Sequence, residues 1–135
     1  GDMDIVLVGP QGVFVFEVKR YNGKYENSGD DWFYLQKKKR KILKNNPTIQ
    51  VKANAAQLAE YLESDFIRNK EKKWVNGIVI MANADVTCRT EHPGVPVWLI
   101  QYLAEELGNI PDKQAFSEQA QKEICEKLEK LYKDQ

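Results

Sequence analysis

Two apolar segments separated by a short turn most constrain what this chain can fold into. Residues 3–8 and 13–19 are both rich in β-branched and aromatic side chains, which favour β-strands. Between them, residues 9–12 read Gly-Pro-Gln-Gly, the composition of a tight turn. We therefore predict that the chain begins with an antiparallel hairpin.

The register of this hairpin follows from a symmetric closure of the turn, which pairs Val8 with Val13 and Asp4 with Glu17. Opposed residues share a face of the ribbon, and so do Glu17 and Lys19, which are two residues apart on one strand. We therefore expect Asp4, Glu17 and Lys19 to converge. A bulge in the turn would shift the pairing by one residue and separate the carboxylates.

Two facing carboxylates destabilise a hairpin unless something offsets them. Lys19, a proton shared by the pair or a bound metal ion each meets this need. The strands are apolar on both faces, so we expect a ribbon buried on both sides, as in the middle of an α/β sheet. Charges at the end of a buried strand are costly, which makes the cluster a candidate site. A structural Asp-Lys-Glu network is the alternative.

Composition sets the broad class of protein. The chain has 135 residues, enough for one domain over 1–135, with 20 basic and 20 acidic residues. This balance gives no overall field for a polyanion. The two cysteines, Cys88 and Cys125, match no metal-ligand spacing and predict a reduced, cytoplasmic setting. No apolar run approaches the roughly 20 residues of a membrane span. The abrupt opening on a strand predicts a fragment of a longer protein.

A helix is predicted to start at Asn46-Pro47, with Asn as the N-cap and Pro in the first helical position. Apolar positions at helical spacing predict a core-facing stripe. Its members are Ile49, Ala53, Ala56, Leu62 and Phe66. A second stripe is polar and is either a solvent face or part of the candidate site. Its members are Gln50, Asn54, Gln57 and Tyr61.

The segment between the hairpin and this helix is polar and turn-rich, with one short strand predicted at residues 32–35. Basic residues follow that strand. They are Lys37, Lys38, Lys39, Arg40 and Lys41, with Lys44 beyond. This run is either a solvated loop or an edge that contacts phosphates. Trp32 and Tyr34 are the aromatic residues best placed to stack on bases.

The second half of the chain predicts a buried strand at residues 75–81 and an edge strand at 95–99, where Pro96 excludes a central position. A helix follows at 100–107, and Ser117 caps a last amphipathic helix over about 113–133. His92 lies in a turn and has no second histidine to act with. Together these elements predict an α/β domain with a mixed sheet of about four strands, the first two central, flanked by helices.

Residues 4–23, Trp32 and the segment Asn46-Pro47 with Gln50 and Asn54 resemble the nuclease-related domain (NERD) family. That family belongs to the PD-(D/E)XK nuclease superfamily, whose members have the restriction-endonuclease-like fold. The resemblance covers most of residues 2–107 and is most specific at 4–23 and 46–58. The superfamily core normally begins with a helix that often carries a further acidic residue. Only three residues precede Asp4 here, so we expect this chain to lack that first helix.

The resemblance implies a role for each member of the charged cluster. Asp4 and Glu17 would bind the metal together with the backbone carbonyl of Val18, and Lys19 would be the catalytic lysine. Gln50 would complete the pattern from the helix. The implied cofactor is Mg²⁺ or Mn²⁺ and the implied partner is nucleic acid, with DNA favoured. The candidate nucleic-acid contacts come from the basic run and the polar stripe of the helix, and they are Lys37, Lys38, Lys39, Arg40 and Asn54. A catalytically inactive module that binds nucleic acid or protein on the same fold is the competing hypothesis.

Overall fold

The computed structural model describes residues 3–66, 75–111 and 116–133. Eight strands lie in these ranges: β1 Met3–Gly9, β2 Gly12–Lys19, β3 Lys24–Ser28, β4 Asp31–Gln36, β5 Lys39–Ile42, β6 Val75–Met81, β7 Thr87–Glu91 and β8 Val97–Leu99. The helices described are α1 Pro47–Phe66, α2 Leu103–Gly108 and α3 Glu118–Lys133, and a 3₁₀ turn at Ile100–Tyr102 precedes α2.

The strands form two mixed sheets. Sheet A has the order β1-β2-β6-β8, in which β1 is antiparallel to β2, and β2, β6 and β8 are parallel to one another. Sheet B has the order β5-β4-β3-β7, in which β3 is antiparallel to β4 and parallel to β7. This mixed α/β architecture confirms the predicted fold class, a restriction-endonuclease-like sheet flanked by helices.

The predicted register of the first hairpin is confirmed. Val8 pairs with Val13 and Asp4 pairs with Glu17, and only Pro10 and Gln11 lie outside the ladder at the turn. The prediction that both strands are central was wrong for β1. This strand lies at the edge of sheet A, because β2 turns its other side to β6. Ile5 is accordingly 46% exposed.

Strand β2 occupies the centre of the domain and is buried on both faces, as its sequence predicts. Val13 and Val15 point to the core that α1 covers, whereas Phe14 and Phe16 point to a second core with Trp98. Side chains alternate along a strand, so Glu17 lies on the same face as Val13 and Val15, the face beneath α1.

Helix α1 begins where the sequence predicts, since the side-chain Oδ1 of Asn46 accepts a hydrogen bond from the backbone N–H of Ile49 at 3.1 Å. The predicted core stripe was right for Leu62 but wrong for Ile49, which is 57% exposed, and for Ala53 and Ala56, which are also exposed. The side chain of Phe66 lies outside the described residues. The residues that face the core are Thr48, Val51, Ala55, Leu58 and Leu62. The helix is rotated to this face because the side chain of Val51 packs on Gly77, which leaves room for a close approach to β6.

The short strand predicted at residues 32–35 is confirmed as β4, and it lies in sheet B with three strands that were not predicted. These strands lack long apolar runs, and β5 is exposed at every position. One face still packs on the main core, because Trp32 is 1% exposed and belongs to the same buried cluster as Val51. Its indole Nε1–H donates a 2.7 Å hydrogen bond to the Thr48 hydroxyl. This bond fixes sheet B to the first turn of α1.

The C-terminal elements agree with the sequence in order but differ in detail. β8 is an edge strand, as Pro96 predicts, and the predicted helix at 100–107 begins as the 3₁₀ turn before α2. Ser117 caps α3 through a 3.1 Å hydrogen bond from the backbone N–H of Ala120 to its hydroxyl. The part of this helix predicted at 113–115 lies outside the described residues. No helix in the described ranges combines the length and apolar character that a membrane crossing needs.

Candidate active site

Two charged side chains lie buried at the carboxyl end of β2. Glu17 is 2% exposed and Lys19 is 4% exposed, and the Lys19 ammonium lies 3.2 Å from Oε1 of Glu17. Burying a charge is costly unless it is paired, and even a paired charge loses its hydration. Both residues stand on the face of β2 that α1 covers. The sequence therefore places a costly ion pair at a particular point of the core.

Asp4 belongs to the same location by backbone register, since its Cα partner on β2 is Glu17. The side chain of Asp4 lies outside what the structure describes. The carbonyl of Lys19 accepts a 2.8 Å hydrogen bond from Ala82, on the β6 side of the strand. Carbonyl groups alternate along a strand, so the carbonyl of Val18 points to the β1 side, where Asp4 lies.

Helix α1 carries Gln50 over sheet A, on the face that also bears Glu17. Its neighbour Val51 packs on Gly77, whose partner on β2 is Val15. One turn further along α1, Asn54 lines a cavity with Val6 and Val15.

The amide of Gln50 has an uncommon environment. Its Oε1 atom is buried and has no hydrogen-bond partner within the described part of the chain. A buried carbonyl oxygen without a partner costs about 1–3 kcal/mol. Such an oxygen is available to a hydrogen atom of water or to a cation.

The predicted polar stripe on α1 does not form a plain solvent face. Asn54, Gln57 and Tyr61 line a cavity of about 410 Å³ between α1, sheet A and α3. The Tyr61 hydroxyl donates a 3.1 Å hydrogen bond to the carbonyl of Lys127 on α3. Most of the stripe therefore lines a cavity within the fold and not open solvent.

The donor set of the site suits a hard divalent cation. Mg²⁺ and Mn²⁺ prefer carboxylate and carbonyl oxygens. The Glu17 carboxylate, the carbonyl of Val18 and the unpartnered Oε1 of Gln50 are oxygen donors in this region, and the register sets the carboxyl-bearing residue Asp4 opposite Glu17. Among the side chains that the structure describes, no group of three His, Cys, Asp or Glu residues forms a metal cluster.

The basic run lies away from this site, in the β4–β5 hairpin of sheet B. All of Lys37, Lys38, Lys39 and Arg40 are exposed. Arg40 differs from the lysines because its guanidinium stacks 3.5 Å over the Phe33 ring and lies 3.3 Å from a Glu26 carboxylate oxygen. The buried Trp32 is not a stacking platform for bases, since its ring is enclosed by the core.

The remaining reactive side chains give no second centre in the described ranges. Burial raises the pKa of the Cys88 thiol to about 11, which leaves little thiolate at neutral pH. His92 is exposed on a loop with φ of 45° and, as predicted, is a loop residue. Thr48 is a residue that sequence reasoning missed, because its role depends on Trp32, 16 positions earlier.

The fold and the residues of this region together define a class. A mixed sheet whose central strand carries Glu-Val-Lys opposite an aspartate, with a glutamine on the covering helix, is the arrangement of a PD-(D/E)XK-type domain. The family model described as "Nuclease-related domain" matches residues 1–82. The chain therefore belongs to the nuclease-related domain family. No curated protein and no solved structure matches the chain.

Proposed function

We propose that this domain is a metal-dependent nuclease that hydrolyses phosphodiester bonds in DNA. Membership of the nuclease-related domain family supports a nuclease-related function. The observation that carries the proposal is the buried pair of Glu17 and Lys19, set opposite Asp4 at the carboxyl end of β2. A core has no packing reason to hold these charges.

The cation would be Mg²⁺ or Mn²⁺, held by the carboxylates of Asp4 and Glu17 and by the carbonyl of Val18. When bound, it supplies positive charge to the phosphate under attack and favours ionisation of a nearby water molecule. These three protein donors would hold the cation beside the phosphate under attack.

Lys19 acts on the charge that develops at phosphorus. Its ammonium is fixed by Glu17 at 3.2 Å and is shielded from bulk water, so its field is stronger than that of a surface lysine. A pre-positioned cation of this kind stabilises the transition state without reorganisation. Its three N–H groups allow it to hold Glu17 and a phosphate oxygen at the same time.

Gln50 positions the attacking water in this scheme. Its buried Oε1 lacks a partner among the described residues and accepts a hydrogen bond from water, while its amide N–H₂ group donates to phosphate. An amide does this without adding a charge to the site.

We assign the proposed activity to the cytoplasm, because Cys88 and Cys125 are both free thiols.

A cleavage assay on the purified protein tests the proposal. Supercoiled plasmid and linear DNA are incubated with Mg²⁺ or Mn²⁺, and nicked and shortened products are resolved on a gel. We expect Lys19→Met to reduce the rate about 100–1,000-fold, as for loss of one pre-positioned donor. Asp4→Asn and Glu17→Gln should reduce it at least as much.

Glu118→Gln is the matched control, since Glu118 is an exposed carboxylate in the first turn of α3. This variant should cleave like the original protein. Thermal melting of every variant separates loss of folding from loss of chemistry. The proposal fails if the original protein cleaves neither substrate, or if folded Glu17→Gln retains the full rate.

A non-hydrolytic binding module is the second candidate. The observation that favours it is the close pairing of Glu17 with Lys19, which neutralises both charges within the protein. Titration with Mn²⁺ discriminates the two. A specific site stabilises the fold by about 2.7 kcal/mol at a hundredfold excess over Kd, and Asp4→Asn should abolish this gain. Equal melting with and without Mn²⁺ favours the binding module.

A further inference from the structure

We propose that the β4–β5 hairpin binds the phosphate backbone of the nucleic acid through a lysine strip formed by Lys37, Lys38, Lys39 and Lys41. This inference rests on the proposed function, because the strip would hold the strand that the candidate site cleaves. It limits the phosphate contacts of the basic run to those four lysines and assigns Arg40 a structural role.

The first observation is the separation of charge within a neutral chain. Residues 37–44 contain six basic residues and no acidic residue. The whole chain has a formal net charge of +0, so the rest of it has a net charge of −6. Such a local concentration of positive charge attracts polyanions even though the protein as a whole does not.

The second observation is that the strip is free to bind. The ion pairs of the described residues join Lys19 to Glu17, Arg40 to Glu26 and Lys52 to Asp30. None of them involves a lysine of the strip, and all four strip lysines are exposed. Among the basic residues of β5, Arg40 is the one whose side chain forms an ion pair within the protein.

Strand alternation separates Arg40 from its neighbours. Tyr34 pairs with Lys41, and Leu35 pairs with Arg40. Lys39 and Lys41 therefore stand on the face of sheet B that carries Trp32 and Tyr34, which is the face turned to the core and α1. Arg40 stands on the outer face with Phe33. Lys39 and Lys41 thus share the face of sheet B that packs against α1 through Trp32.

The turn residue Lys37 adds an independent sign of function. It is the first of the two residues that connect β4 to β5, and its φ is 54°. Two-residue hairpins favour glycine or asparagine there, because a side chain with a Cβ is strained in this region. Stability alone therefore does not explain a lysine at the tip.

The β4–β5 hairpin projects from the part of sheet B that is bonded to α1. Trp32 donates a hydrogen bond to Thr48 in the first turn of α1, the helix that carries Gln50. From Trp32 to the tip at Lys37 is five residues of extended chain, about 17 Å.

Binding of a fluorescein-labelled 20-base-pair duplex in EDTA, followed by anisotropy at several salt concentrations, tests the strip without any hydrolysis. The variant carries Lys38→Ala, Lys39→Ala and Lys41→Ala. Its slope of log K against log salt should be shallower by about 2.7, because each phosphate contact contributes about 0.9. Affinity at low salt should fall more than tenfold.

A charge-matched control carries Lys122→Ala, Lys130→Ala and Lys133→Ala, three exposed lysines of α3. It should keep the slope of the original protein. Equal slopes for the two triple variants overturn the proposal. So does binding of the original protein to phosphatidylserine vesicles with no binding to the duplex, which would identify an anionic lipid surface as the partner.

The variant Lys37→Gly separates the contribution of Lys37 to duplex binding from its contribution to stability. Glycine accepts the observed φ without strain, so the melting temperature should stay equal or rise while duplex affinity falls severalfold. Unchanged affinity overturns the role of Lys37. The two proposals fail separately: binding through the strip without cleavage removes only the nuclease, and cleavage with equal slopes removes only the strip.

Discussion

Sheet A and sheet B hold their charged residues in opposite environments, buried in sheet A and exposed to solvent in sheet B. Sheet A buries an acid and a base at the end of β2, with N···O separation of 3.2 Å. Sheet B keeps a pair of nearly the same separation, Arg40 and Glu26 at 3.3 Å, partly in solvent. Two ion pairs with nearly the same N···O separation therefore contribute differently to stability. The exposed pair costs little and contributes little, whereas the buried pair is costly to keep and costly to break.

The two sheets also differ in what their strands can tolerate. β2 packs on both faces, so a change at nearly any of its positions meets a filled core. Sheet B packs on one face, and its outermost strand β5 is exposed throughout. The first arrangement holds a group in a fixed position, and the second displays groups to large partners.

The largest effect is expected from Glu17→Ala. This change removes the Glu17 carboxylate from the buried ammonium of Lys19, and breaking a buried ion pair in this way typically costs about 3–5 kcal/mol. The corresponding change in sheet B, Glu26→Ala, should cost less than about 1 kcal/mol. Urea unfolding followed by circular dichroism gives both values. The double variant Glu17→Leu with Lys19→Met should recover most of the loss, and a small cost for Glu17→Ala would show that the pair is not buried in solution.

A smaller effect is expected where the two sheets are joined through α1. Trp32→Phe removes the indole N–H and leaves the buried Thr48 hydroxyl without its donor, at a cost of about 2–3 kcal/mol. Thr48→Val removes the acceptor. If the 2.7 Å bond joins the sheets, the two changes should be strongly non-additive in a double-mutant cycle of unfolding free energies. Additive effects would contradict a direct bond.

The smallest effects are expected from two glycines that are required for different reasons. In Gly77→Ala the new Cβ would lie 3.1 Å from both methyl groups of Val51, so overpacking should cost about 1–2 kcal/mol. In Gly29→Ala nothing lies within 4 Å, and the strain comes from φ of 57° alone, about 1 kcal/mol. Melting curves compare the two alanine variants. Relative to the alanine variant at the same position, Gly29→Asn should regain more stability than Gly77→Ser.

The first hairpin was predictable because local rules determine it. Alternating apolar strands and a turn of known length fix every pair, so the prediction that Asp4 faces Glu17 needed no tertiary information. The start of α1 was predictable for a similar reason, since Asn46 and Pro47 act within one turn of chain. Neither feature depends on which distant element packs where.

The face of α1 and the existence of sheet B were not predictable in this way. Alanines lie on several sides of α1, so its apolar pattern does not select one face. Val51 faces the core because Gly77 admits it. In sheet B, β7 reads Thr-Cys-Arg-Thr-Glu and has no strand signature. Its pairing with β3 forms between segments far apart in the sequence.

For the candidate site, the sequence predicted which strand positions meet but not their surroundings. The depth of burial of Glu17 and Lys19 depends on α1, which packs on this face of β2. The lone Oε1 of Gln50 depends on the rotation of α1. Arg40 differs from the lysines next to it because its guanidinium stacks on Phe33. Strand alternation alone does not identify Phe33 as a stacking partner.

The turn of the first hairpin has a consequence for how this family can vary. Only Pro10 and Gln11 separate the paired strands, so the alignment of Asp4 with Glu17 is set by counting residues from the turn. Replacing either turn residue leaves that count intact. Inserting a single residue on one arm moves Asp4 past Glu17 and turns its side chain to the opposite face. Related sequences that retain both carboxylates should therefore differ freely in the letters of this turn and hardly at all in its length.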